Sequence, residues 1–456
     1  MNKDTQQQSV LFPSFADREV FVVADEPTTS SDGGALLLHA ADARLGLIDA
    51  LAACIPDPRQ QGKVEHAMAE LLRQRVVGIA CGYEDANDAA RLAHDPVHAL
   101  VASGSPEDRL ASQSSFSRFE NGIKTATNDA LALTFMHRIL KRKTAQQRKR
   151  VRRIMIDFDP TVDPTHGNQQ LSLFNAYYKT WCYQSLLGFV RFDNEQEQHL
   201  VAAALLPGTG SPVAPTIAEL FWIIAMLRTY YPKARICVRL DAGFATPEMF
   251  EKLTLHDVDF VVGMPENAVL TCRAEPHMVR ARALAAARGE SARVYAETMY
   301  AAKTWAKEYR VVIKAEVVAH EDREHRDNAR FVVTNLRQSP RHIYTKIYAK
   351  RGDIENRIKE LKNDLAIDRT SCTAFEANRF RVLMTAAAYA LLQEVRKAAL
   401  GTTLSTAQMH RLRLSVIKVA ARVVSSVRRI VVHLPQTFAF LPEWNIIARR
   451  LGAVYK

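Results

Sequence analysis

The stretch IMIDFDPTVD, residues 154–163, has the apolar pattern of a buried β-strand and contains acidic residues toward its end. Asp157 and Asp159 lie two residues apart, so their side chains point to the same face of an extended strand. Asp163 follows after Pro160 breaks the regular pattern. Because carboxylates this close together repel one another, we expect a positive partner, such as a metal ion, between them. The stretch therefore predicts a central strand with a candidate functional site at its end.

The D-x-D-x-T order of Asp157, Asp159 and Thr161 is open to three interpretations on its own. It resembles the first motif of haloacid-dehalogenase-like phosphatases, in which the first aspartate is a nucleophile. Its D-x-T part also resembles the strand end of ribonuclease-H-like nucleases, where an aspartate holds a divalent metal. The third interpretation is structural, because aspartates at strand ends often cap turns.

The composition indicates a globular protein of two to four domains, with 456 residues of which 48% are hydrophobic and 24% charged. We find no apolar run long enough to cross a bilayer and no secretory signal pattern, so we expect no membrane partner. The six cysteines form no C-x-x-C pair, which favours reduced thiols in a cytoplasmic protein.

The charge distribution favours a polyanionic partner. The formal net charge is +12, and residues 141–153 hold eight basic residues and no acid. Residues 401–456 hold nine Lys or Arg against one acid, and include Arg411, Arg413 and Lys418. Clusters of this kind attract phosphate backbones, although a charge run can also be a merely solvated surface. We therefore expect nucleic acid as the partner.

The first part of the chain divides into a flexible arm, residues 1–35, and a helical region with a basic linker, residues 36–150. Within it, VEHAMAELLRQRVVGIACG has apolar residues at helical spacing and ends at Gly82. The stretch ASQSSFSRFENGI resembles the opening of a recognition helix, with Ser114 and Arg118 as candidate DNA contacts. An ordinary helix with a serine cap explains this stretch alone at least as well.

From residue 151 the periodicity predicts three strands, a helix, a strand, a helix and a strand, which is a mixed α/β layer. We interpret SLFNAYYKTWCY and SLLGFVRFD as the second and third strands, with HLVAAALLPG continuing the third. The pattern divides the rest of the chain into a mixed α/β region, residues 151–264, a β-rich insertion, residues 265–336, a region with a long helix at about 340–366, residues 337–395, and a basic helical C-terminal region, residues 396–456.

A second acid follows another predicted strand, in ICVRLDAGF. Asp241 ends this strand, and Gly243 allows the chain to turn without a side chain near the site. One aspartate at a strand end is more often structural than catalytic. Two of them after neighbouring strands favour a site, because ligand sites gather at strand ends.

The helix predicted for YAKRGDIENRIKELK, residues 348–362, carries two separate faces at about 100° per residue. Its core face holds Ile354, Ile358, Leu361 and Leu365. The polar face holds Tyr348, Arg351, Glu355, Lys359 and Lys362. A surface helix with a Glu355–Lys359 pair is the alternative, but it does not require Tyr348 and Arg351 on the same face.

The order Tyr348, Arg351, Glu355, Lys362 matches the Y-R-E-K signature of a group of bacterial insertion-sequence DDE transposases. ACGYEDANDA, SQSSFSRFEN and DFDPTVDPTHGNQQ are also similar to one branch of that group. The resemblance covers about residues 45–395. It implies an α/β fold with a ribonuclease-H-like mixed sheet flanked by helices, interrupted by the β-rich insertion, with a helical N-terminal DNA-binding region and a helical C-terminal region.

The resemblance further implies that Asp159, Asp241 and Glu355 are the catalytic acids, 82 and 114 residues apart. Asp157, on the same strand face, is the alternative first acid. Three such carboxylates would hold two Mg²⁺ or Mn²⁺ ions, which prefer oxygen ligands. One ion would activate water or a DNA 3′-hydroxyl, and the other would stabilise the leaving oxygen.

The same resemblance implies partners. Tyr348, Arg351, Lys359 and Lys362 would hold DNA phosphates beside the cut, and Trp305 would stack on an extruded base, although a packing role for Trp305 is favoured. The partners would be double-stranded DNA, as terminal inverted repeats and target, and a second copy in a homodimeric synaptic complex. We expect a cytoplasmic, nucleoid-associated protein. The alternatives are a D-x-D-x-T phosphohydrolase and a catalytically silent DNA-binding protein derived from a transposase.

Overall fold

The computed structural model describes residues 10–15, 18–319 and 325–454. Part of the predicted flexible arm is ordered into strands. β1 (Val10–Phe15) and β2 (Arg18–Val22) pair antiparallel, and β3 (Thr29–Ser30) pairs with a strand near the C-terminus. The arm expected over residues 1–35 is therefore corrected for these segments, and residues 1–9, 16 and 17 lie outside the described residues.

A group of helices follows, as periodicity predicts. The third of them ends where a glycine was expected to end it, because Gly82 adopts a left-handed φ of 98°. The bounds of the eight helices are α1 (Ala35–Leu45), α2 (Leu47–Ala52), α3 (Met68–Cys81), α4 (Ala89–Leu92), α5 (Pro96–Ser103), α6 (Gln113–Asn121), α7 (Thr125–Leu140) and α8 (Ala145–Arg150).

The centre of the molecule is a mixed sheet with helices against it, which confirms the predicted class. Its strands are β4 (Arg153–Pro164), β5 (Leu173–Asn175), β6 (Thr180–Phe192), β7 (His199–Pro207), β8 (Arg235–Leu240) and β9 (Asp259–Met264). The spatial order is β7-β6-β4-β8-β9. β6 pairs antiparallel with β4 and β7, whereas β4, β8 and β9 run parallel. The carboxyl ends of β4 and β8 therefore lie on one edge of the sheet.

Two predicted strands are in fact one. The second half of SLFNAYYKTWCY and the whole of SLLGFVRF form the continuous strand β6, and HLVAAALLP forms a strand of its own, β7. β6 is continuous because it lies between two neighbouring strands and is buried along almost its entire length. The short β5 pairs with the start of β6 and makes a hairpin with it.

Two helices connect the parallel strands: α9 (Val213–Tyr230) and α10 (Pro247–Leu255). By length and composition alone α9, with a hydropathy of 1.2, could cross a membrane, so the expectation that no apolar run is long enough is wrong. A core helix passes the same test, and α9 buries Ile217, Leu220 and Ile224 in the hydrophobic core. Thr246 caps α10 by accepting a hydrogen bond from Met249 N.

The stretch predicted as a β-rich insertion extends the same sheet. It begins with a helix, α11 (Ala268–Arg288), and continues with β10 (Ala292–Tyr300), β11 (Tyr309–Val318) and β12 (Arg326–Thr334). β12 pairs antiparallel with β9, so the complete sheet has nine strands among the described residues. Met278, Ala281 and Ala285 of α11 pack against small residues of β10 and β11.

The helix expected at about 340–366 is irregular, which corrects the regular helix assumed above. It consists of α12 (Pro340–His342), wide turns at 343–347, tight turns at 348–352, α13 (Asp353–Lys359) and wide turns at 360–364. The Arg239 guanidinium donates a 2.8 Å hydrogen bond to the Ile347 carbonyl. A carbonyl that accepts a hydrogen bond from a side chain no longer takes part in the regular hydrogen bonding of the helix. The positions of the two predicted faces, which assume about 100° per residue throughout, therefore do not hold along this segment.

The C-terminal region is only partly helical, against expectation. After α14 (Phe375–Ala398) and α15 (Met409–Leu412) comes a hairpin of β13 (Ala421–Ser426) and β14 (Arg429–His433), and α16 (Leu441–Leu451) follows. The hairpin sequence is rich in valine and isoleucine, which favour strands. β13 pairs with β3 and so ties the two ends of the chain together.

Gly188 in β6 lies directly opposite Phe158 in β4. A Cβ at this position would lie 2.5 Å from Cζ of the buried Phe158 ring, which is closer than van der Waals contact allows. The Phe158 side chain therefore fills the space that the glycine leaves, immediately beside Asp159.

We expect Gly188→Ala to lower the free energy of unfolding by about 1–3 kcal/mol, because the core is overpacked. Urea denaturation of the purified protein measures the loss. The double variant Gly188→Ala/Phe158→Leu should recover part of it, and a double variant as unstable as the sum of both single changes would contradict this packing.

Candidate active site

The three acids of the opening stretch occupy three different environments. Asp157 is fully buried and forms two 2.7 Å hydrogen bonds with the guanidinium of Arg239, which is also fully buried. Gln198 Nε2 donates a third hydrogen bond of 2.9 Å to the same carboxylate. A carboxylate with a bidentate arginine and an amide donor has its charge and its lone pairs satisfied. Asp157 thus needs no further cation.

Asp163 is buried as well, and its environment favours the neutral form. Thr370 Oγ1 lies 3.0 Å from both carboxylate oxygens. The pKa of Asp163 is raised to about 8, mainly by burial and to a lesser extent by the charge of Asp368. The acid is therefore protonated at neutral pH, and it joins the end of β4 to the segment before α14.

Asp159 is the acid of this stretch that faces a site. Its side chain is 15% exposed and accepts a 3.1 Å hydrogen bond from Arg351 Nη1. Burial raises the pKa of Asp159 to about 6, the charges of Asp241 and Glu355 raise it too, and Arg351 opposes them. The last parallel pair of β4 and β8 is Asp157 with Arg239, so Asp159 and Asp241 each follow two residues after it, and Arg351 contacts both Asp159 and Glu355.

Asp241 ends β8 and begins a tight turn. Its Oδ1 accepts a 2.9 Å hydrogen bond from Gly243 N, so the turn orients the carboxylate, as the small residues after it indicated.

Gly263 on β9 allows Tyr348 and Ala242 to approach the strand closely, which the sequence did not lead us to predict. A Cβ there would lie 2.5 Å from Tyr348 Oη and 2.9 Å from Ala242 N. A glycine inside a strand was the available signal.

Glu355 stands on α13 with its side chain 59% exposed, next to the buried anchor Ile354. Arg351 Nη2 lies 3.9 Å from Glu355 Oε1. One guanidinium therefore lies between the carboxylates of Asp159 and Glu355. It provides positive charge within a group of three acids.

The other signature residues divide into two kinds. The Tyr348 phenol lies beside the backbone at Asp241, because Tyr348 Oη, Ala242 N and the Asp241 carbonyl carbon are all within 3.3 Å of the Cβ position at Gly263. Burial raises the pKa of Tyr348. Lys359 is exposed. Lys362 instead holds the end of β4, since its Nζ donates a 2.8 Å hydrogen bond to the Val162 carbonyl and lies 3.3 Å from Asp368 Oδ2.

Trp305 packs inside an aromatic cluster. Its ring contacts those of Phe250, Tyr300 and Tyr309 edge-on at 5.2–5.7 Å between centroids. This half-buried position matches the packing interpretation of Trp305. Ser114 and Arg118 are exposed on α6, on the surface opposite its buried residues Phe116 and Phe119.

Several basic residues are used inside the fold. Arg142 is almost fully buried and pairs with Glu394, while Lys143 pairs with Glu195. In the C-terminal region Arg413 donates a 2.9 Å hydrogen bond to the Ala80 carbonyl, and Lys418 pairs with Asp32. Among the described residues, the exposed basic side chains of the two stretches are those of Lys141, Lys149, Arg150, Arg152, Arg153, Arg411, Arg422, Arg428, Arg429, Arg449 and Arg450.

Another cluster of metal-binding residue types occurs in the described part of the chain, away from the strand ends. Ligand atoms of Asp32, Cys81 and His98 lie within 4.8 Å of one another, and all three residues are buried. Asp32 already accepts hydrogen bonds from His98 Nε2 at 2.9 Å and from Lys418 Nζ at 2.8 Å. Burial raises the pKa of Asp32, but the contacts with His98 and Lys418 lower it by more, so the pKa lies below its usual value. We therefore interpret the cluster as a set of structural contacts between these segments.

The donor set at the strand ends fits hard divalent cations. Asp159, Asp241 and Glu355 offer carboxylate oxygens, the preferred ligands of Mg²⁺ and Mn²⁺. The raised pKa of Asp159 shows that the nearby positive charge does not compensate the burial of this carboxyl and the charges of the other two acids. A cation at this place would relieve that repulsion.

Residues 12–454, which include all three acids, match the family described as Transposase DDE domain group 1. Among solved structures, the fold is similar to that of the piggyBac transposase in a synaptic complex with hairpin DNA, with a TM-score of 0.43 and 10% sequence identity. That similarity covers 84% of this chain and 80% of the other. No curated protein sequence matches the chain.

We expect Arg239→Met to lower the free energy of unfolding by about 3–5 kcal/mol, because it leaves the Asp157 carboxylate buried without its cation. Chemical denaturation measures this loss. Arg235→Met, on the same strand but in an exposed pair with Asp259, should cost less than about 1 kcal/mol. Equal losses in both variants would contradict the role assigned to Arg239.

We expect Asp159→Asn to stabilise the metal-free protein at pH 7.5 by about 1–3 kcal/mol. The folded-state pKa of about 6 lies above the unfolded value of 3.8, so charging this carboxyl on raising the pH destabilises the fold. Denaturation in chelator measures the difference, which should shrink as the pH falls through about 6 and vanish below about pH 3, where both states are protonated. A variant less stable than the parent at pH 7.5 would argue against this electrostatic account.

Proposed function

The chain belongs to the Transposase DDE domain group 1 family, and we propose that it binds the terminal inverted repeats of its own insertion sequence and cuts and joins the DNA there with divalent metal ions. The observation that carries the proposal is the placement of Asp159 and Asp241 just beyond the paired ends of two neighbouring parallel strands, with Arg351 in contact with both Asp159 and Glu355. Within the family, we assign the chain to the group with the Y-R-E-K signature.

We propose that the catalytic core is ribonuclease-H-like. Support comes from the spatial order β7-β6-β4-β8-β9. In it β7, β6 and β4 are antiparallel neighbours, and β8 and β9 run parallel to β4. The three acids leave this core from β4, from β8 and from α13, which packs against β4. The β-rich insertion between the second and third acids extends the sheet beyond β9.

Asp159, Asp241 and Glu355 are the residues that would hold two Mg²⁺ or Mn²⁺ ions. When bound, such ions supply the positive charge that activates an attacking oxygen and stabilises a leaving oxygen at phosphorus. Asp157 is a weaker candidate for the first acid, because Arg239 and Gln198 already satisfy its carboxylate. Its role is to fix β4 against β8 and so to position Asp159.

The residues around the acids would position the DNA. Arg351 has a planar group suited to a phosphate, and it already lies among the acids. Tyr348 lies beside Asp241, and the exposed Lys359 stands one helical turn after Glu355. Lys362 supports the end of β4 through Val162, so we assign it a positioning role in addition to the expected phosphate contact.

Recognition of the element ends is assigned to the helical region before the sheet. The exposed face of α6 carries Ser114 and Arg118, and further exposed basic residues lie at the end of α8, Lys149 and Arg150, and just after it, Arg152 and Arg153. Positive charge of this kind contacts phosphates, and side chains on a helix can reach base edges. We further propose that two copies pair two DNA ends, and that the protein acts in the cytoplasm at the nucleoid.

The rival functions have less support. A D-x-D-x-T phosphohydrolase needs Asp157 as an accessible nucleophile, whereas this residue is fully buried and paired with Arg239. A catalytically silent DNA-binding protein does not need three acids close together. The electrostatic coupling of Asp159 with Asp241 and Glu355 therefore favours an active enzyme.

We expect Asp241→Asn and Glu355→Gln to reduce cleavage of a duplex carrying the element's terminal repeat to the uncatalysed background, because each removes a carboxylate from the site. Binding of the same duplex should stay close to that of the parent, because these acids do not contact the recognition region. Gel assays of cleavage in Mg²⁺ and of binding in chelator separate the two effects.

Asp353→Asn is the matched control, since Asp353 lies on the same helix as Glu355 and is also exposed. It should cleave like the parent. Full cleavage by Glu355→Gln, or cleavage by the parent in chelator, would refute the proposed function.

A further inference from the structure

The hairpin of β13 and β14 carries three arginines that the fold does not use. Arg422, Arg428 and Arg429 are exposed, and among the described residues their guanidiniums have neither an ion-pair nor a hydrogen-bond partner. Residues 401–442 contain no Asp or Glu, so no acid close by in the chain compensates these charges. Glu107 hydrogen-bonds to a serine of β13, and a positive excess remains on the hairpin when its charge is counted. Uncompensated positive charge attracts polyanions.

The hairpin presents a continuous outer face. That face is formed by three cross-strand pairs: Arg422 with His433, Val424 with Val431, and Ser426 with Arg429. Residues two apart along a strand point to the same side, and on the other side of β13 Ala421 and Val423 are buried. Val427 and Arg428 form the turn at the tip, where the Val427 side chain is fully exposed. The outer face and the tip thus combine positive charge with small apolar side chains.

The base of the hairpin is fixed by backbone contacts with residues 28–33. β13 pairs antiparallel with β3. Val423 N donates a 2.8 Å hydrogen bond to the Thr28 carbonyl, and Gly33 N donates another of 2.8 Å to the Val419 carbonyl. A binding element that is already held in place loses little conformational freedom when it binds.

The hairpin is attached to the helical region that precedes the large sheet. Both β3 and β13 pack against α5. The next long helix along the chain after α5 is α6, on which Ser114 and Arg118 are exposed. The three arginines of the hairpin therefore belong to the part of the molecule to which recognition of the element ends is assigned.

We propose that residues 421–433, here called the basic hairpin, lie in a groove of the duplex at the element end, with Arg422, Arg428 and Arg429 on its phosphates. This inference rests on the proposed function, because it takes the terminal repeat as the ligand. The major groove of B-form DNA is wide enough for a two-stranded β-ribbon. The planar guanidinium matches the geometry of phosphate oxygens, and the exposed valines provide apolar contact within the groove.

DNA is favoured over a second copy of the chain as the occupant of this surface. β14 is the edge strand of the order β14-β13-β3, so its open backbone groups could also pair with a strand of another copy. Pairing of two β14 strands would bring the arginines of both copies together, and like charges across a strand pair are destabilising. A duplex instead offers negative charge to all three guanidiniums.

The test measures binding of a fluorescein-labelled duplex of the terminal repeat by anisotropy in chelator, over a series of KCl concentrations. Each phosphate contact adds about 0.9 to the steepness of the plot of log affinity against log salt concentration. We therefore expect Arg428→Gln/Arg429→Gln to make this plot less steep by about 1.8. The same variant should bind about tenfold or more weakly at about 0.15 M salt.

Two control pairs separate a contact from a general effect of charge. Arg428→Lys/Arg429→Lys keeps both charges and should keep the steepness of the parent. Arg280→Gln/Arg288→Gln removes the same net charge from exposed positions on α11 and should stay within about 0.5 of the parent. Thermal unfolding checks that each variant is folded, and Arg422→Gln, expected to lower the steepness by about 0.9, keeps the test valid if the double variant is not.

The proposal is overturned if Arg428→Gln/Arg429→Gln binds the terminal repeat like the parent, or if the pair on α11 loses as much, which would make the effect one of net charge. It is also overturned if the loss occurs only with an unrelated duplex, which would assign the basic hairpin to target DNA. A change in the oligomeric state alone, measured by light scattering, would make it a contact between copies and overturn the proposal too.

Failure of the proposed function gives a different result. A parent that shows the expected salt dependence but does not cut the terminal repeat in Mg²⁺ would refute the proposed function and leave the contact of the basic hairpin with DNA supported. A parent that binds no duplex at all would refute both.

Discussion

The arrangement of the site depends on one buried guanidinium. Arg239 on β8 makes two 2.7 Å hydrogen bonds to Asp157 on β4 and a 2.8 Å hydrogen bond to the Ile347 carbonyl, just before the helix that carries Glu355. Its side chain is fully buried, so these contacts are shielded from water. A single residue thereby joins the three elements that carry the three acids, and it does so from the strand that ends in Asp241.

The same interaction explains why two aspartates on one strand face differ so much. Asp157 has a complete set of partners, and its charge is neutralised within the core. Asp159, two residues further on, has only the partly exposed Arg351 as a countercharge, and it lies near Asp241 and Glu355. The fold satisfies the first acid and leaves the second with unbalanced repulsion. Unbalanced negative charge at a strand end is the condition under which a cation binds.

The sequence predicted the parts of the fold that depend on local pattern. The strand at Asp157 and Asp159, the strand before Asp241 and the mixed α/β class follow from apolar runs and their spacing. The nearness of the three acids was implied by the family resemblance and not by periodicity, since they are 82 and 114 residues apart. The resemblance selected Asp159 over Asp157, but local pattern could not show why they differ, because the arginine that satisfies Asp157 lies 82 residues away.

The features that the sequence did not predict also depend on distant contacts. The helix around Glu355 is irregular where Arg239, 108 residues earlier, binds the Ile347 carbonyl. The C-terminal hairpin gains its third strand from Thr29 and Ser30, at the other end of the chain. A glycine inside a strand signals a close approach at Gly263, but the groups that approach it, Tyr348 and Ala242, belong to other elements. In each case local propensity was overridden by packing between remote segments.

The most direct measurement of the central claim is anomalous X-ray scattering from crystals soaked in Mn²⁺. The account predicts anomalous density among the carboxylates of Asp159, Asp241 and Glu355, with the Arg351 guanidinium displaced from its hydrogen bond to Asp159. Asp157 should remain bound to Arg239. Density at Asp157, density only at the cluster of Asp32, Cys81 and His98, or no ordered ion among the three acids at saturating Mn²⁺ would contradict it.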